Sequence, residues 1–164
     1  MRAIQHPESR TVPEQPTAVV RATLRHGELG DWFGTAFNQV ADYLHHHGVA
    51  ACGFPFARCH IRSDGSLEVE AGLPVPAAIT GDAQVRPSSL PGGHVVAVWH
   101  IGPYGQLGTA YQALDDWLKA EHGVCAGDPW EVYHGPPRHD PQSWRTEVIQ
   151  PFALARAQVD AGRS

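Results

Sequence analysis

A short strand-like segment over residues 130–133 carries a carboxylate and a phenol two positions apart, Glu131 and Tyr133. Side chains at i and i+2 of a strand share one face, so both groups would line one surface. Upstream, a predicted strand stops at Gly102-Pro103, and Tyr104 follows where the next helix begins. A lone acid among aromatic rings suits a pocket for a flat cationic or electrophilic molecule. We therefore predict a small-molecule site built on Glu131, Tyr133 and Tyr104.

Three further aromatic residues are candidates for the walls of this site. Trp99 lies on the strand that leads to Tyr104, Trp144 stands at the start of the last strand, and Tyr111 lies on the helix between them. Side chains with an aromatic body and a polar tip are frequent in binding sites. Tyr111 also falls on the apolar stripe of its helix, so packing in the core is its alternative role.

Each polar candidate also has a structural interpretation. Glu131 could be a partly exposed strand acid paired with an arginine, and Tyr104 could simply pack where its helix begins. Glu147 and Glu70 are each followed four residues later by a proline. Because the same Glu-x-x-x-Pro spacing occurs in the first and in the second half of the chain, it favours an architectural role for Glu147.

The orientation of the strand over residues 130–134 decides what Glu131 faces. Trp130 and Val132 point to one side of this strand, and Glu131 and Tyr133 point to the other. If Trp130 and Val132 face the core beneath the helices, Glu131 and Tyr133 face a ligand cleft on the opposite side.

Two amphipathic helices are predicted from the spacing of apolar residues. The first stripe consists of Phe33, Ala36, Phe37, Val40 and Leu44, and the second of Leu107, Ala110, Tyr111, Leu114, Trp117 and Leu118. Gly48 and Gly123 are each predicted to end one of these helices. Predicted strands span residues 17–24, 56–62, 66–71, 93–100, 130–134 and 144–149. Ser63-Asp64-Gly65 predicts the turn of a hairpin.

Short phrases recur along the chain at an offset of about 75 residues, which indicates an internal duplication. Gly34-Thr35-Ala36-Phe37 matches Gly108-Thr109-Ala110-Tyr111. Positions at which the halves differ are the better candidates for a site. Ala57 and Cys59 stand in the first half where the second half has Glu131 and Tyr133.

The repeated order of elements predicts the fold and its division. We expect an α+β fold of duplicated strand–helix–strand–strand units that form a shared antiparallel sheet with both helices on one face. The repeats would span about residues 17–72 and 93–152, joined by a proline-rich linker over 73–92 with one short strand near 83–86. Residues 1–16 are predicted to be a flexible arm and residues 153–164 a C-terminal tail.

Composition excludes several classes of partner. The net charge is −5 with 12 lysines and arginines among 164 residues, so direct nucleic-acid binding is not expected. No apolar run approaches the ~20 residues of a membrane helix, and the N-terminus lacks a hydrophobic signal region. We predict a cytoplasmic protein that does not contact membranes, and the oligomeric state stays open.

No cofactor and no metal ion is predicted. The three cysteines show neither disulfide nor metal spacing. His45-His46-His47 are consecutive in a helix, where successive side chains point about 100° apart, so they cannot converge on one ion.

The motifs of the second half resemble those of the GyrI-like small-molecule-binding family, which includes effector-binding domains of bacterial multidrug and AraC-type regulators. They are His100-x-Gly102-Pro103-Tyr104, then Trp130-Glu131-x-Tyr133, then Trp144-x-Thr146-Glu147-x-x-x-Pro151. The resemblance implies a ligand cleft where the halves meet and a buried glutamate, here Glu131, that faces aromatic or cationic drugs. Regulator members carry a helix-turn-helix before this domain. Because only about sixteen residues precede it here, a stand-alone version is expected.

Two classes of function follow. The first is a protein that senses or sequesters flat, aromatic, often cationic molecules. The second, implied by similar stand-alone family members, is a hydrolase that opens the cyclopropane of DNA-alkylating natural products, with Glu131 and Tyr104 as catalytic residues. Inhibition of DNA gyrase follows only from the family's name, and no segment of the sequence supports it.

Overall fold

Nine strands and two helices make up the described part of the chain, residues 6–134 and 140–155 of a computed structural model. The helices are α1, Leu29–His46, and α2, Gly108–Ala120. The strands are β1 Glu8–Val12, β2 Gln15–Leu24, β3 Phe56–Ile61, β4 Leu67–Pro74, β5 Arg86–Leu90, β6 Gly93–Ile101, β7 Gly123–Cys125, β8 Trp130–His134 and β9 Arg145–Leu154. The chain divides into two compact units, Pro13–Gly92 and Met1–Val12 with Gly93–Ser164.

The unit Pro13–Gly92 is an antiparallel sheet with strand order β3-β4-β2-β5 and one helix against it. Ala36, Val40 and Leu44 of α1 are buried against Ala18 and Ala71 of the sheet. These α1 residues belong to the predicted stripe, so burial of one apolar face holds the helix in place. The hairpin turn is also as predicted, since Asp64 Oδ1 accepts a bond from the Ser66 amide at 2.9 Å.

The other unit repeats this layout. Its strands follow the order β8-β9-β6-β1, all antiparallel, and β7 pairs with the far end of β9. Ala110, Leu114 and Leu118 of α2 pack against Val98 and Val148. Equivalent strands occupy equivalent places in the two units, and the α+β class is confirmed. That the units arose by duplication stays a prediction.

Strand β1 lies in the segment that was predicted to be a flexible arm. Its sequence, Glu-Ser-Arg-Thr-Val, shows little of the apolar alternation of a strand that buries one face. It forms nonetheless because its backbone pairs with β6 and because Arg10 reaches Glu147. An edge strand held by backbone bonds and one ion pair leaves a weak signal in the sequence.

Two other boundaries differ from expectation. The predicted linker contains β5, further along the chain than the predicted short strand, with Pro87 at the edge of its sheet. Proline is tolerated on an edge strand because it needs no ladder partner for an amide. Strand β9 runs to Leu154, into the predicted tail. Residues 156–164 of that tail and residues 1–5 of the arm lie outside the described residues.

The two helix ends use different residues from one another. Gly48 has φ of +65° and ends α1 as predicted. At the end of α2 the prediction was wrong, because His122 takes the left-handed conformation with φ of +59°. Gly123 instead begins β7, and a Cβ there would lie 2.8 Å from Leu118 Cδ2. A larger residue at position 123 would therefore require the Leu118 side chain to shift.

None of the helices in the described part of the chain is both long and apolar enough to span a membrane.

Candidate functional site

The carboxylate of Glu131 is held by two phenols. Tyr111 of α2 donates a hydrogen bond to Glu131 Oε2 at 2.5 Å, and Tyr133 donates one to Oε1 at 2.8 Å. Both bonds are partly buried. Tyr133 reaches the carboxylate because it lies two residues further along β8, on the same face. The site thus consists of one acid between two neutral hydrogen-bond donors.

Glu131 was predicted to face away from the helices if Trp130 and Val132 lie beneath them. The structure does not meet this condition. Glu131 stands opposite Val148 and Tyr133 stands opposite Thr146 in the β8–β9 ladder. Val148 is part of the core under α2, and side chains opposite each other in a ladder share a face. Glu131 and Tyr133 therefore lie on the α2 side of their sheet. Trp130 is buried on the opposite face.

An aromatic stack adjoins the Glu131 site. The Tyr104 ring lies 4.6 Å from the Trp144 ring at 32°, and 5.3 Å from the Tyr133 ring at 61°, measured between centroids. Tyr104 remains 37% exposed. Burial of the phenol and the charge of Glu131 both raise the pKa of Tyr104. Tyr104 therefore keeps its proton at neutral pH.

Five of the six predicted binding residues are brought together in this way, and Trp99 is not. Trp99 alternates with Val98 on β6 and so points to the opposite face of the sheet. There the Arg145 guanidinium lies 4.9 Å above its ring, and the His134 ring lies 4.6 Å away. The prediction placed Trp99 in the site because its strand leads to Tyr104, but the face of the strand separates the two.

Glu147 also lies on that opposite face, where it forms an ion pair. Its Oε2 accepts a 3.0 Å bond from Arg10 Nη1 of β1, and its Oε1 is 3.9 Å from His134 Nε2. Glu70, its counterpart on β4, bonds Arg21 of β2 at 2.6 Å. Each carboxylate thus ties a neighbouring strand to the sheet, which supports the architectural interpretation of Glu147.

Two residues that lie beside the site belong to the sequence motifs but were not predicted to be part of the site. His100 and Thr146 stand opposite each other in the β6–β9 ladder, and Thr146 stands opposite Tyr133. Both are fully buried, and no hydrogen-bond partner for either side chain is found among the described residues. The available signal was the alternation of β6, which puts His100 on the same face as Val96 and Val98.

Burial of His100 predicts a loss of stability in acid. Burial lowers the pKa of His100 below its usual value of 6.5. Below pH 6.5 the unfolded chain therefore binds a proton that the folded chain does not, so the free energy of unfolding falls as pH falls towards the folded pKa. His100 alone contributes a slope of up to about 1.4 kcal/mol per pH unit within that window.

Urea unfolding between pH 5 and 8 checks this. His100→Leu should lose that part of the slope, and the exposed His45→Gln should keep it. Burial also lowers the pKa of His134, a shift that Glu147 opposes and Arg145 reinforces. Some slope therefore remains in His100→Leu. Identical slopes for wild type and His100→Leu would contradict the prediction.

His46 and His47 of the histidine triplet border an open hollow of about 340 Å³ in the unit Pro13–Gly92. Its polar groups are largely engaged. His46 and His47 each bond a backbone carbonyl of α1 through Nδ1, and Asp82 accepts bonds from the amides of Gln84 and Val85. Within residues 6–134 and 140–155, no group of three or more His, Cys, Asp or Glu side chains is placed to hold a metal ion.

The fold is of the mixed α+β class, with antiparallel strands and two α-helices. The chain belongs to the GyrI-like small molecule binding domain family, whose model matches residues 5–153. A search of curated protein sequences finds no match.

Three solved proteins have a similar fold. The C-terminal domain of EcmrR gives a TM-score of 0.76 at 20% identity, over 93% of this chain and 99% of that chain. EcmrR in complex with DNA gives 0.78 at 19% identity over 93% of this chain, which spans only 58% of that longer chain. A hydrolase from Listeria innocua gives a TM-score of 0.69 at 15% identity, over 90% of this chain and 92% of that chain. SAV2435 bound to tetraphenylphosphonium gives a TM-score of 0.61 at 9% identity, over 93% of this chain and 97% of that chain.

Proposed function

We propose that this protein binds flat, aromatic, often cationic small molecules, with Glu131 as the counter-charge. One observation carries the proposal. Glu131 is partly buried and receives only neutral phenol donors, and no lysine or arginine forms an ion pair with it among residues 6–134 and 140–155. Among the described residues no side chain of opposite charge is paired with this carboxylate, and a cationic guest would supply that charge.

The aromatic stack supplies the rest of the binding energy. A cation over the face of a tyrosine or tryptophan gains about 0.5–2 kcal/mol, depending on its exposure to water. Apolar parts of the ligand gain about 25 cal/mol for each Å² removed from water. Tyr104 and Trp144, whose rings pack against each other and are partly open to solvent, offer both contributions next to Glu131.

The family membership supports this proposal, and so does one of the structural relatives, since SAV2435 was solved with the aromatic cation tetraphenylphosphonium. The biological role would be sensing or sequestration of a drug or toxin. We propose that the ligand is the direct partner and that the described domain does not bind nucleic acid, because the net charge is −5.

A second function, hydrolysis of a strained cyclopropane, is favoured by the protonated Tyr104 within the field of Glu131. Glu131 would accept a proton from water while the water oxygen bonds the ring carbon. The electrons of the broken C–C bond would move into a conjugated carbonyl, whose oxygen Tyr104 would stabilise by hydrogen bonding. The proton then returns to the product, which has gained one water.

Mass spectrometry distinguishes the two functions. Purified wild type and the Glu131→Gln variant are each incubated with tetraphenylphosphonium and, separately, with a cyclopropane-bearing alkylator. We expect saturable binding of the cation and recovery of both compounds unchanged. A product heavier by one water, formed by wild type and not by Glu131→Gln, would establish the hydrolase instead. Absence of both saturable binding and turnover would contradict both functions.

A further inference from the structure

We propose that His100 and Thr146 form a hydrogen-bonding subsite beside Glu131 that binds an uncharged polar group, such as a hydroxyl or carboxamide, of the same ligand. This inference rests on the proposed function, which it deepens by defining a second point of recognition. The ligand would then carry a cationic aromatic part for Glu131 and a neutral polar group for the subsite.

The subsite is continuous with the Glu131 site on one face of the sheet. His100, Thr146 and Tyr133 stand side by side across β6, β9 and β8, and we call these three residues the polar row. The next row along the same strands is Val98, Val148 and Glu131. Tyr133 belongs to the polar row and also donates a hydrogen bond to Glu131, so it joins the two parts of the site.

Two members of the polar row have unmet hydrogen-bonding capacity. Neither nitrogen of His100 nor the hydroxyl of Thr146 has a partner among the described residues, and both side chains are fully buried. Burying a polar group without a partner destabilises the folded state. A pair of such groups, adjacent on one face and beside a candidate binding carboxylate, is what a ligand's polar group would satisfy.

The other unit shows that the fold itself does not need this polar row. At the equivalent ladder positions it has Ala22, Val69 and Cys59. The neighbouring row there is Val20, Ala71 and Ala57, in place of the row that contains Glu131. The unit that carries Glu131 therefore also carries the histidine and threonine, whereas its counterpart has small or apolar residues in the first two of these positions.

The chemistry of the polar row selects the group that it binds. A neutral imidazole offers one donor and one acceptor, and the threonine hydroxyl offers both. Complete burial of His100 disfavours a charged imidazole, so the complementary group is neutral and both donates and accepts. The spacing of strands and of alternate residues separates Thr146 from Glu131 by about 8 Å between backbone positions.

The Tyr104 ring lies next to the polar row, because it contacts the Tyr133 ring. Tyr104 packs against Tyr133 and Trp144 and is the most exposed of these three rings. It follows Gly102, whose φ is +136°. The His100 ring lies beside Gly102, where an added Cβ would make an ordinary contact with His100 Cε1 at 3.5 Å. We infer that the ligand's polar group reaches the row when the Tyr104 ring moves aside.

Two probes, one of which carries an added alcohol, test the subsite by calorimetry. They are tetraphenylphosphonium and (4-hydroxymethylphenyl)triphenylphosphonium, whose alcohol stays uncharged at neutral pH. Wild type should bind the hydroxylated probe about tenfold more tightly, the scale of one added hydrogen bond. Thr146→Val and His100→Leu should lose this preference. Thr17→Val removes another fully buried, unpartnered hydroxyl, in the other unit, and should retain it.

The outcomes separate the subsite from the proposed function. Equal affinity of wild type for the two probes, or an undiminished preference in Thr146→Val, overturns the subsite. Failure of tetraphenylphosphonium itself to bind contradicts the proposed function. In that case melting of the ligand-free protein decides, because Thr146→Val should melt at a higher temperature than wild type if its hydroxyl is unpartnered. A lower melting temperature shows that the hydroxyl is bonded within the protein and overturns the subsite.

Discussion

Replacing Glu131 with glutamine is expected to weaken the binding of tetraphenylphosphonium by about 1–3 kcal/mol, or roughly 5- to 150-fold. The substitution removes the charge and keeps the shape of the side chain. The amide oxygen still accepts from one phenol, and the amide nitrogen donates to the oxygen of the other. The contacts to Tyr111 and Tyr133 can therefore persist, so the loss reports charge rather than unfolding.

A neutral flat hydrocarbon provides the necessary comparison. Phenanthrene, followed by fluorescence, should bind wild type and Glu131→Gln with nearly equal affinity, because it gains from the aromatic stack alone. Glu121→Gln removes an exposed carboxylate just beyond α2 and should change neither affinity. If Glu131→Gln and Glu121→Gln weakened the binding of the cation equally, the effect would come from net charge in general and not from a site.

Replacing Glu147 with glutamine should lower the free energy of unfolding by about 1–3 kcal/mol, the scale of a hydrogen bond to a charged group. The Glu147 side chain is 10% exposed and its partner Arg10 is 44% exposed. Because water can solvate Arg10 once the carboxylate is gone, the loss should stay below that of a fully buried pair. Urea unfolding measures the change, and the slope against urea should not change.

Glu68→Gln is the matched control for this stability effect. Glu68 pairs with Arg62 at 3.5 Å, and both side chains are about half exposed, so its removal should change stability by less than about 1 kcal/mol. Glu147→Gln should leave tetraphenylphosphonium binding intact. If it abolished binding while Glu131→Gln had no effect, the assignment of the binding carboxylate to Glu131 would be wrong in both strand and face.

Local pattern predicted most of the elements. The helical stripes placed both helices, the Ser63-Asp64-Gly65 turn placed the hairpin, and the match of Glu70 with Glu147 identified two acids that both pair with arginine. These features depend on side chains near in sequence or on the repeat of one unit in the other. The grouping of Glu131 with Tyr133 also follows from strand geometry alone.

Other features depend on contacts that the local sequence does not record. Alternation shows that Glu131 and Trp130 lie on opposite faces of β8, but only the β8–β9 ladder shows which face packs under α2. Trp99 was grouped with Tyr104 by nearness in the chain, and strand alternation separates them. His100 was treated as part of a motif, and its burial beside Thr146 became evident only from the pairing of β6 with β9.

The pairing of β1 with β6 has a consequence for synthesis on the ribosome. Thr11 and His94 are joined across 83 positions of the chain, whereas Pro13–Gly92 is one continuous stretch. A chain made from its N-terminus completes that stretch before β6 has emerged, so β1 must wait without its partner while the unit that follows it folds. Contacts between distant residues form slowly because a long loop must close. The ion pair of Arg10 with Glu147 therefore belongs to the last stage of folding, after nearly all of the described chain has been made.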